Sequence, residues 1–207
     1  MAFTFFFRDC QVLDHLVELT LPVLAGRCHP RIWDAGAATG QEPYTLAMLY
    51  AARLGPFAFK NLRIDATDVE DTGQFARVIA AAEYPESELA RLPHEVLSDY
   101  FEPGDTPGYL RVVSSVRGRV SFQRHDLLSL QELGHGYSAI LCKNVLLHFQ
   151  PPQRLAVLLM FHRALSPGGL LAVEQTQEMP ACLMPLFERV SPDGSVYRKL
   201  EGCPCPA

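Results

Sequence analysis

"RIWDAGAATGQEPYTLAM", residues 31–48, changes character twice along its length. Arg31 to Asp34 reads as a buried strand, an acid and two glycines interrupt it, and from Pro43 onward apolar residues return at helical spacing. Pro43 sits near the first turn, where a missing N–H costs nothing, and Gly55 stands where the helix "PYTLAMLYAARLG" ends. A parallel strand that closes on Asp34-Ala35-Gly36 and feeds a helix after Gly40 is the ligand corner of a doubly wound sheet, because ligands there lie beyond the carboxyl ends of the strands.

The residues of this corner narrow the ligand. The dinucleotide fingerprint G-x-G-x-x-G is absent, since Ala37, Ala38 and Thr39 separate Gly36 from Gly40, which leaves NAD as a minor alternative. The phosphate loop fails too, because Gln41 and Glu42 follow Gly40 and an acid repels phosphate oxygens. A carboxylate at the mouth suits a cation, and Asp68 at the end of the next strand suits a pair of ribose hydroxyls. A nucleoside that is positively charged and lacks phosphate meets both conditions: S-adenosylmethionine. Two other readings stay open, Asp68 as a turn cap and Glu42 as a solvated first-turn acid complementing the helix dipole.

Outward from this corner the pattern repeats. Val12, Leu13, Leu16, Val17 and Leu21 mark a lead-in helix over residues 10–24 that Pro22 is expected to end. "LRIDATD", 62–68, reads as a second strand, and "DTGQFARVIAAAEY" as a second helix capped by Asp71 or Thr72. "YSAILCKNVLLHF" and "GLLAVEQT" add apolar strands around the helix "PPQRLAVLLMFHRAL", with Gly168 and Gly169 turning the chain back. Such alternation predicts an α/β fold with a parallel sheet covered on both faces. Residues 86–120 break the rhythm, with a short helical stretch and then "GYLRVVSSVRGRVSF", and predict a small inserted antiparallel subdomain within a single domain, 1–207.

Composition sets further bounds. The 207 residues suffice for one continuous core, 48% are hydrophobic and 20% charged, and no apolar run reaches the length of a bilayer span. "MAFTFFFRDC" is short, lacks a basic lead and meets Arg8 and Asp9 at once, unlike a signal peptide, so a soluble cytoplasmic protein is expected. A net charge of −5 without a basic run argues against nucleic acid as a partner. The six cysteines form no C-x-x-C pair and are read as reduced thiols without a metal, with Cys203 and Cys205 on a proline-flanked, extended, oxidisable tail.

"TFFFRD" at 4–9, "IWDAGAATGQEPYTLAM", "ATD" at 66–68, "LPHEVLSDYF", "RHDLL" at 124–128, "ILCKNVLLHF" and "SPGG" occur in a distinctive order and spacing. On these motifs the chain resembles the CheR-type chemotaxis receptor methyltransferases over nearly its whole length. The resemblance implies a Rossmann-like class I methyltransferase: a doubly wound, mostly parallel sheet with a small antiparallel β-subdomain inserted. It implies S-adenosylmethionine as cofactor and a protein substrate, receptor-like, methylated on glutamate. It further implies a cofactor site of Thr4, Arg8, Gly36, Glu42, Asp68, Asp126, Leu127 and Asn144. In that assignment Glu42 meets the amino-acid end, Asp68 the ribose, Asp126 and Leu127 the adenine, and Asn144 the methionine portion. Arg8 lies near the transferred methyl; its other reading is a surface arginine on the lead-in helix.

The chain departs from the family pattern in four places. C-R-N-V-[LM]-I-Y-F becomes Cys142-Lys143-Asn144-Val145-Leu146-Leu147-His148-Phe149, which puts His148 where a tyrosine is proposed to sit beside the methyl. An asparagine becomes Asp126, and G-H-S-E becomes Glu174-Gln175-Thr176-Gln177. The chain begins at the T-x-F-F-R motif, so the family's N-terminal helical domain is expected to be absent. Arg8 and His148 are the expected catalytic residues. A carboxylate acceptor is ionised at neutral pH and needs no general base. Histidine can also take a proton, which opens small-molecule hydroxyl, amine or thiol acceptors, and packing at a strand end is its other role. A cofactor-binding regulator without turnover is the third reading, and a monomer is expected.

Overall fold

Period-two alternation along residues 31–35 sends Ile32 and Asp34 to one face and Trp33 and Ala35 to the other, and all four are buried. A strand buried on both faces requires cover on both. The computed structural model describes residues 4–191 and 195–201, and in it helices meet that requirement on each side. The first half runs α1 (Cys10–Leu24), β1 (Arg31–Ala35), α2 (Gln41–Arg53), α3 (Pro56–Asn61), β2 (Arg63–Asp68) and α4 (Gln74–Ala81). An excursion follows: β3 (Glu83–Pro85), α5 (Glu86–Leu89), α6 (His94–Tyr100), β4 (Phe101–Pro103), β5 (Tyr109–Val112) and α7 (Ser114–Arg117). The chain then returns through β6 (Val120–Arg124), β7 (Tyr137–Cys142), α8 (Pro151–Ala164), β8 (Leu165–Val173), β9 (Phe187–Arg189) and β10 (Val196–Lys199).

Among the described residues the main sheet has seven strands in the order β6-β2-β1-β7-β8-β10-β9. The first five are mutually parallel, and β10 pairs antiparallel with both β8 and β9. From β1 the chain moves one way to β2 and later the other way to β7, so the strand order reverses between β1 and β7. That switch point opens a crevice at the carboxyl ends of the strands. One face carries α1 and α2 over Ile32, Ala139, Leu141 and Leu170; the other carries α8 over Trp33, Ile140 and Leu171.

Several elements differ from the sequence reading. Helix α1 runs through Pro22 to Leu24, since a proline in the last turn forfeits one bond at an end that frays anyway. Val120–Arg124 is not part of the antiparallel excursion: it pairs parallel with β2, Ile64 opposite Val120 and Ala66 opposite Phe122. The small sheet is instead β3-β5-β4, antiparallel throughout; its strands begin at Glu83, before residue 86, and end at Val112. β-Branched and aromatic residues mark a strand without naming its neighbour. Helix α4 starts at Gln74 behind Gly73, whose φ of 69° suits glycine. Asp71 pairs with Arg124 instead, while the Thr72 hydroxyl accepts from the Gln74 N–H at 3.3 Å. Gly168 and Gly169 lie inside β8, where the register slips from Tyr137 opposite Leu165 to Ala139 opposite Leu170. The β9–β10 pair was not anticipated. Cys203 and Cys205 lie outside the described residues, and Cys10, Cys28, Cys142 and Cys182 are free thiols.

Trp33 anchors the α8 face. Its indole N–H donates to Thr67 Oγ1 at 2.8 Å, and its ring meets Phe161 and His125 edge-on with centroids 5.2 and 5.6 Å away. Deleting a buried ring of this size leaves a cavity and removes the donor that the Thr67 hydroxyl accepts from. Trp33→Ala is expected to lower unfolding stability by about 3–5 kcal/mol. Urea titration should show the loss as a lower midpoint with an unchanged slope.

Candidate active site at the switch point

The turn after β1 is built by backbone donors that converge on the end of β2. The N–H groups of Gly36 and Ala37 donate to the Thr67 carbonyl at 2.8 and 3.0 Å. The Ala38 N–H donates to Asp68 Oδ2 at 2.8 Å and the Val69 N–H to Asp68 Oδ1 at 2.7 Å. Asp68 therefore caps the loop, yet each carboxylate oxygen keeps a second lone pair for a ligand hydroxyl. The two readings of Asp68 are compatible. Gly36 has φ 125°, and a β-carbon there would overlap the Val145 side chain. Gly40 has φ 97°, and a β-carbon would come within 2.7 Å of Ile79 Cγ1 and 2.9 Å of the Tyr84 hydroxyl. That hydroxyl donates to the Thr39 carbonyl at 2.8 Å, which fastens β3 of the small sheet to the loop.

Residues 4–9 cross the crevice from the other side. Phe6 is buried with its ring edge-on to Tyr84 and Phe101, centroids 4.8 and 5.3 Å apart. The Phe7 N–H donates to Thr45 Oγ1 at 3.0 Å, and the buried Lys143 ammonium donates to Asp9 Oδ2 at 2.6 Å. Phe7 and Asp9 hold φ of 59° and 50°, left-handed values that aspartate adopts more readily than phenylalanine, and fixed contacts at both ends hold the path. Arg8 precedes α1 rather than riding on it, and this segment brings Thr4 and Arg8 to the cavity wall.

The enclosed space is a cavity of about 750 Å³. All the residues singled out in the sequence line it: Thr4, Arg8, Gly36, Glu42, Asp68, Asp126, Leu127, Asn144 and His148. Asp126 caps the turn Leu127–Ser129 by accepting from the Leu128 N–H at 2.9 Å. His148 closes the turn Leu146–His148 and is exposed, so it is not a packing histidine. Asn144 has φ 58°, and its N–H donates to Glu174 Oε2 at 3.1 Å.

Sequence reasoning passed over three residues here. Lys143 and His125 also line the cavity, and Glu174, buried, holds the Asn144 backbone. The departures at 143 and 174 were the available signal, but a sequence does not say that the two positions act on neighbouring loops. His125 meets Trp33 edge-on, and burial pushes its imidazole below the usual histidine range.

Charge is concentrated at these strand ends. Asp34 is fully buried and held well above the carboxylate range, by desolvation first and then by the negative charges of Glu42 and Asp68. Desolvation pushes Glu42 up to about 7, against the pull of Lys143 and Arg8. Burial, with Glu174, Asp34, Glu42 and Asp68 around it, also raises the Cys142 thiol. A partly desolvated crevice with this acid set attracts a cation and repels phosphate.

Residues 2–191 match the family described as "CheR methyltransferase, SAM binding domain". The chain belongs to this family. A "Chemotaxis protein methyltransferase" of Vibrio parahaemolyticus is 30% identical over 203 residues, 96% of this chain and 72% of that protein. "Chemotaxis protein methyltransferase 1" of Pseudomonas aeruginosa is 34% identical over 177 residues, 81% of this chain and 63% of that protein. As a CheR-family member the chain is an S-adenosylmethionine-dependent methyltransferase. The residues present fit the cofactor: glycines where side chains would fill the turn, acids and no phosphate cradle, and an orphaned buried carboxyl oxygen on Glu174 beside the loop that carries Asn144.

Gly36 offers the sharpest test of this fit. Gly36→Ala is expected to weaken S-adenosylmethionine binding by more than about tenfold in calorimetry, equivalent to at least about 1.4 kcal/mol. Adding Val145→Ala, which removes the overlapping methyl groups, should restore part of the loss; equal affinity for wild type and Gly36→Ala would show that the turn does not bear on the ligand.

Proposed function

We propose that this CheR-family chain methylates a glutamate side chain of a protein, forming a carboxyl methyl ester; its relatives are named chemotaxis protein methyltransferases, and the sequence resemblance implies a receptor-like substrate. The observation that carries this reading is the Arg8 side chain on the cavity wall, among lining residues that otherwise carry acids, imidazoles, neutral groups and Lys143, whose ammonium pairs with Asp9. An acceptor carboxylate entering an acid-lined crevice needs a cation to meet it, and a guanidinium offers two oriented N–H donors to a carboxylate.

When bound, the cofactor would supply an electrophilic methyl group on its sulfonium for transfer to the acceptor oxygen, with the electron pair of the carbon–sulfur bond left on sulfur. The contribution of the chain is alignment and exclusion of water. Arg8 orients the acceptor carboxylate, Asp68 holds the ribose, and Glu42 holds the amino-acid end. Asp126 and Leu127 would lie on the adenine side, where a carboxylate can accept from an amine as well as an amide oxygen can. An ionised carboxylate has no proton to surrender, so a Ser-His-Asp or Cys-His arrangement is unnecessary. His148, exposed on the wall, favours the second reading, a neutral acceptor that loses its proton to imidazole.

Incubation with methyl-labelled S-adenosylmethionine and cell lysate separates the two. Label on protein that mild alkali releases as methanol is the expected outcome; alkali-stable label, or label only on small molecules, supports the His148 reading and removes the first. No label in any fraction, with the cofactor bound, would indicate a regulator without turnover. Arg8→Ala should lower kcat/KM by about 10²-fold with cofactor affinity less affected, since a misplaced nucleophile costs that much.

A further inference from the structure

The loop between β7 and α8 carries two wall residues of the cavity, Asn144 and His148, and it is held from outside the cavity. Its middle is a single turn, closed by the His148 N–H donating to the Val145 carbonyl and the Phe149 N–H to the Leu146 carbonyl, both at 3.0 Å. Such a turn shifts as a unit, so its anchors decide where it stands. At one end Glu174 Oε2 accepts from the Asn144 N–H at 3.1 Å. At the other, Arg154 near the start of α8 donates from Nε to the Phe149 carbonyl at 3.0 Å and from Nη1 to Gln177 Oε1 at 3.3 Å. Gln177 closes its own turn, its Nε2 donating to the Glu178 carbonyl and its backbone N–H to the Glu174 carbonyl, both at 2.9 Å. Both anchors therefore come from one short segment after β8. Glu174 and Gln177 are buried, and among the described residues neither lines the cavity.

We propose that Glu174 and Gln177 are positioning residues with separate tasks: Glu174 sets Asn144 for the cofactor, and Gln177, through Arg154, sets His148 for the acceptor. The proposal rests on the reading in which Asn144 faces the cofactor's methionine portion and His148 stands on the acceptor side.

The chemistry of the two side chains matches these tasks. Glu174 Oε1 is buried with no hydrogen-bond partner among the described residues, a desolvation cost that the glycine of the family pattern at this position does not carry. What the chain gains from Glu174 is the bond to Asn144, whose backbone stands at φ 58°. Gln177 replaces a glutamate of that pattern. An amide accepts from Arg154 and donates to the Glu178 carbonyl at once, which a carboxylate cannot do, and it adds no second negative charge to the buried segment. The exchange of tyrosine for His148 lies on the turn that these residues hold. An imidazole reaches less far than a phenol from the same backbone position, so its approach to the acceptor depends on where the turn is fixed.

Two measurements on the full chain separate the tasks: S-adenosylmethionine affinity by calorimetry, and the initial rate of label transfer to lysate from saturating methyl-labelled S-adenosylmethionine. Glu174→Ala is expected to weaken cofactor binding about tenfold, whereas Glu174→Gln, which keeps an acceptor for the Asn144 N–H, stays within about twofold of wild type. Gln177→Ala is expected to keep the affinity within about twofold and lower the transfer rate about tenfold, and Gln177→Glu, which still accepts from Arg154, recovers most of that rate. If the segment only holds the fold together, affinity and rate fall in step in both alanine variants, and that result overturns the proposal. A loss in Glu174→Gln equal to that in Glu174→Ala also overturns it, because the charge and not the acceptor would then matter. Asn144→Ala and His148→Ala tell the failures apart. Wild-type affinity in the first or a wild-type rate in the second removes the reading of that residue and the proposal with it; losses in both, without losses in Glu174→Ala and Gln177→Ala, remove the positioning alone. No transfer by the wild-type chain overturns the acceptor half together with the function proposed above. If Glu174→Ala fails to fold, Glu174→Asp, whose shorter side chain draws the acceptor back from Asn144, takes its place with the same expected direction.

Discussion

One carboxylate, that of Asp68, ties together the ends of the first two strands. By accepting from Ala38 on one loop and Val69 on the other, it converts two independent strand ends into a single wall. Backbone amides at a strand end need an acceptor, and a single carboxyl group with two oxygens can serve two of them at once. The turn after β1 can then stay open, with Gly36 and Gly40 at positive φ, because its backbone is held from beside the ligand space and not from within it. Filling that space with a side chain would sacrifice the crevice that the switch point creates.

The small sheet is part of the same construction. Tyr84 reaches from β3 to the Thr39 carbonyl, and Phe6 packs on Tyr84 and on Phe101 of β4, so the excursion supports both the glycine turn and the segment that carries Arg8. Edge-on aromatic pairs of this kind add to plain area burial, and here they join segments far apart in sequence. Lys143, 3% exposed, pairs with Asp9, 49% exposed, so losing the Asp9 carboxylate would leave a buried cation without this partner.

The departures from the family pattern acquire physical content in this setting. Lys143 takes Asp9 as its partner, and Glu174 supplies the acceptor that lets Asn144 hold a left-handed backbone. Both residues act on loops at the carboxyl ends of β7 and β8, so changes far apart in sequence converge on one side of the cavity. The acids dominate the electrostatics there, which fits a cofactor whose charge is positive at both sulfur and nitrogen.

Local residue order was enough to identify the parallel α/β class and the strand–glycine–helix corner with Gly36, Glu42 and Asp68, because periodicity and glycine placement report on backbone conformation within a few residues, whereas Thr4, Arg8, Asp126, Leu127, Asn144 and His148 were implied only by the resemblance to a family. The partner of each strand was not legible in it. Val120–Phe122 and Tyr109–Val112 look alike as short β-branched runs, and only packing sends one to the edge of the main sheet beside β2 and the other to the centre of the small one. The same limit applied to the site. Sequence marked Asp34 as the end of a strand and Glu42 as the start of a helix, but the burial of Asp34, and the desolvation that raises the proton affinity of both acids, exist only because the turn brings the helix start back to the end of the strand.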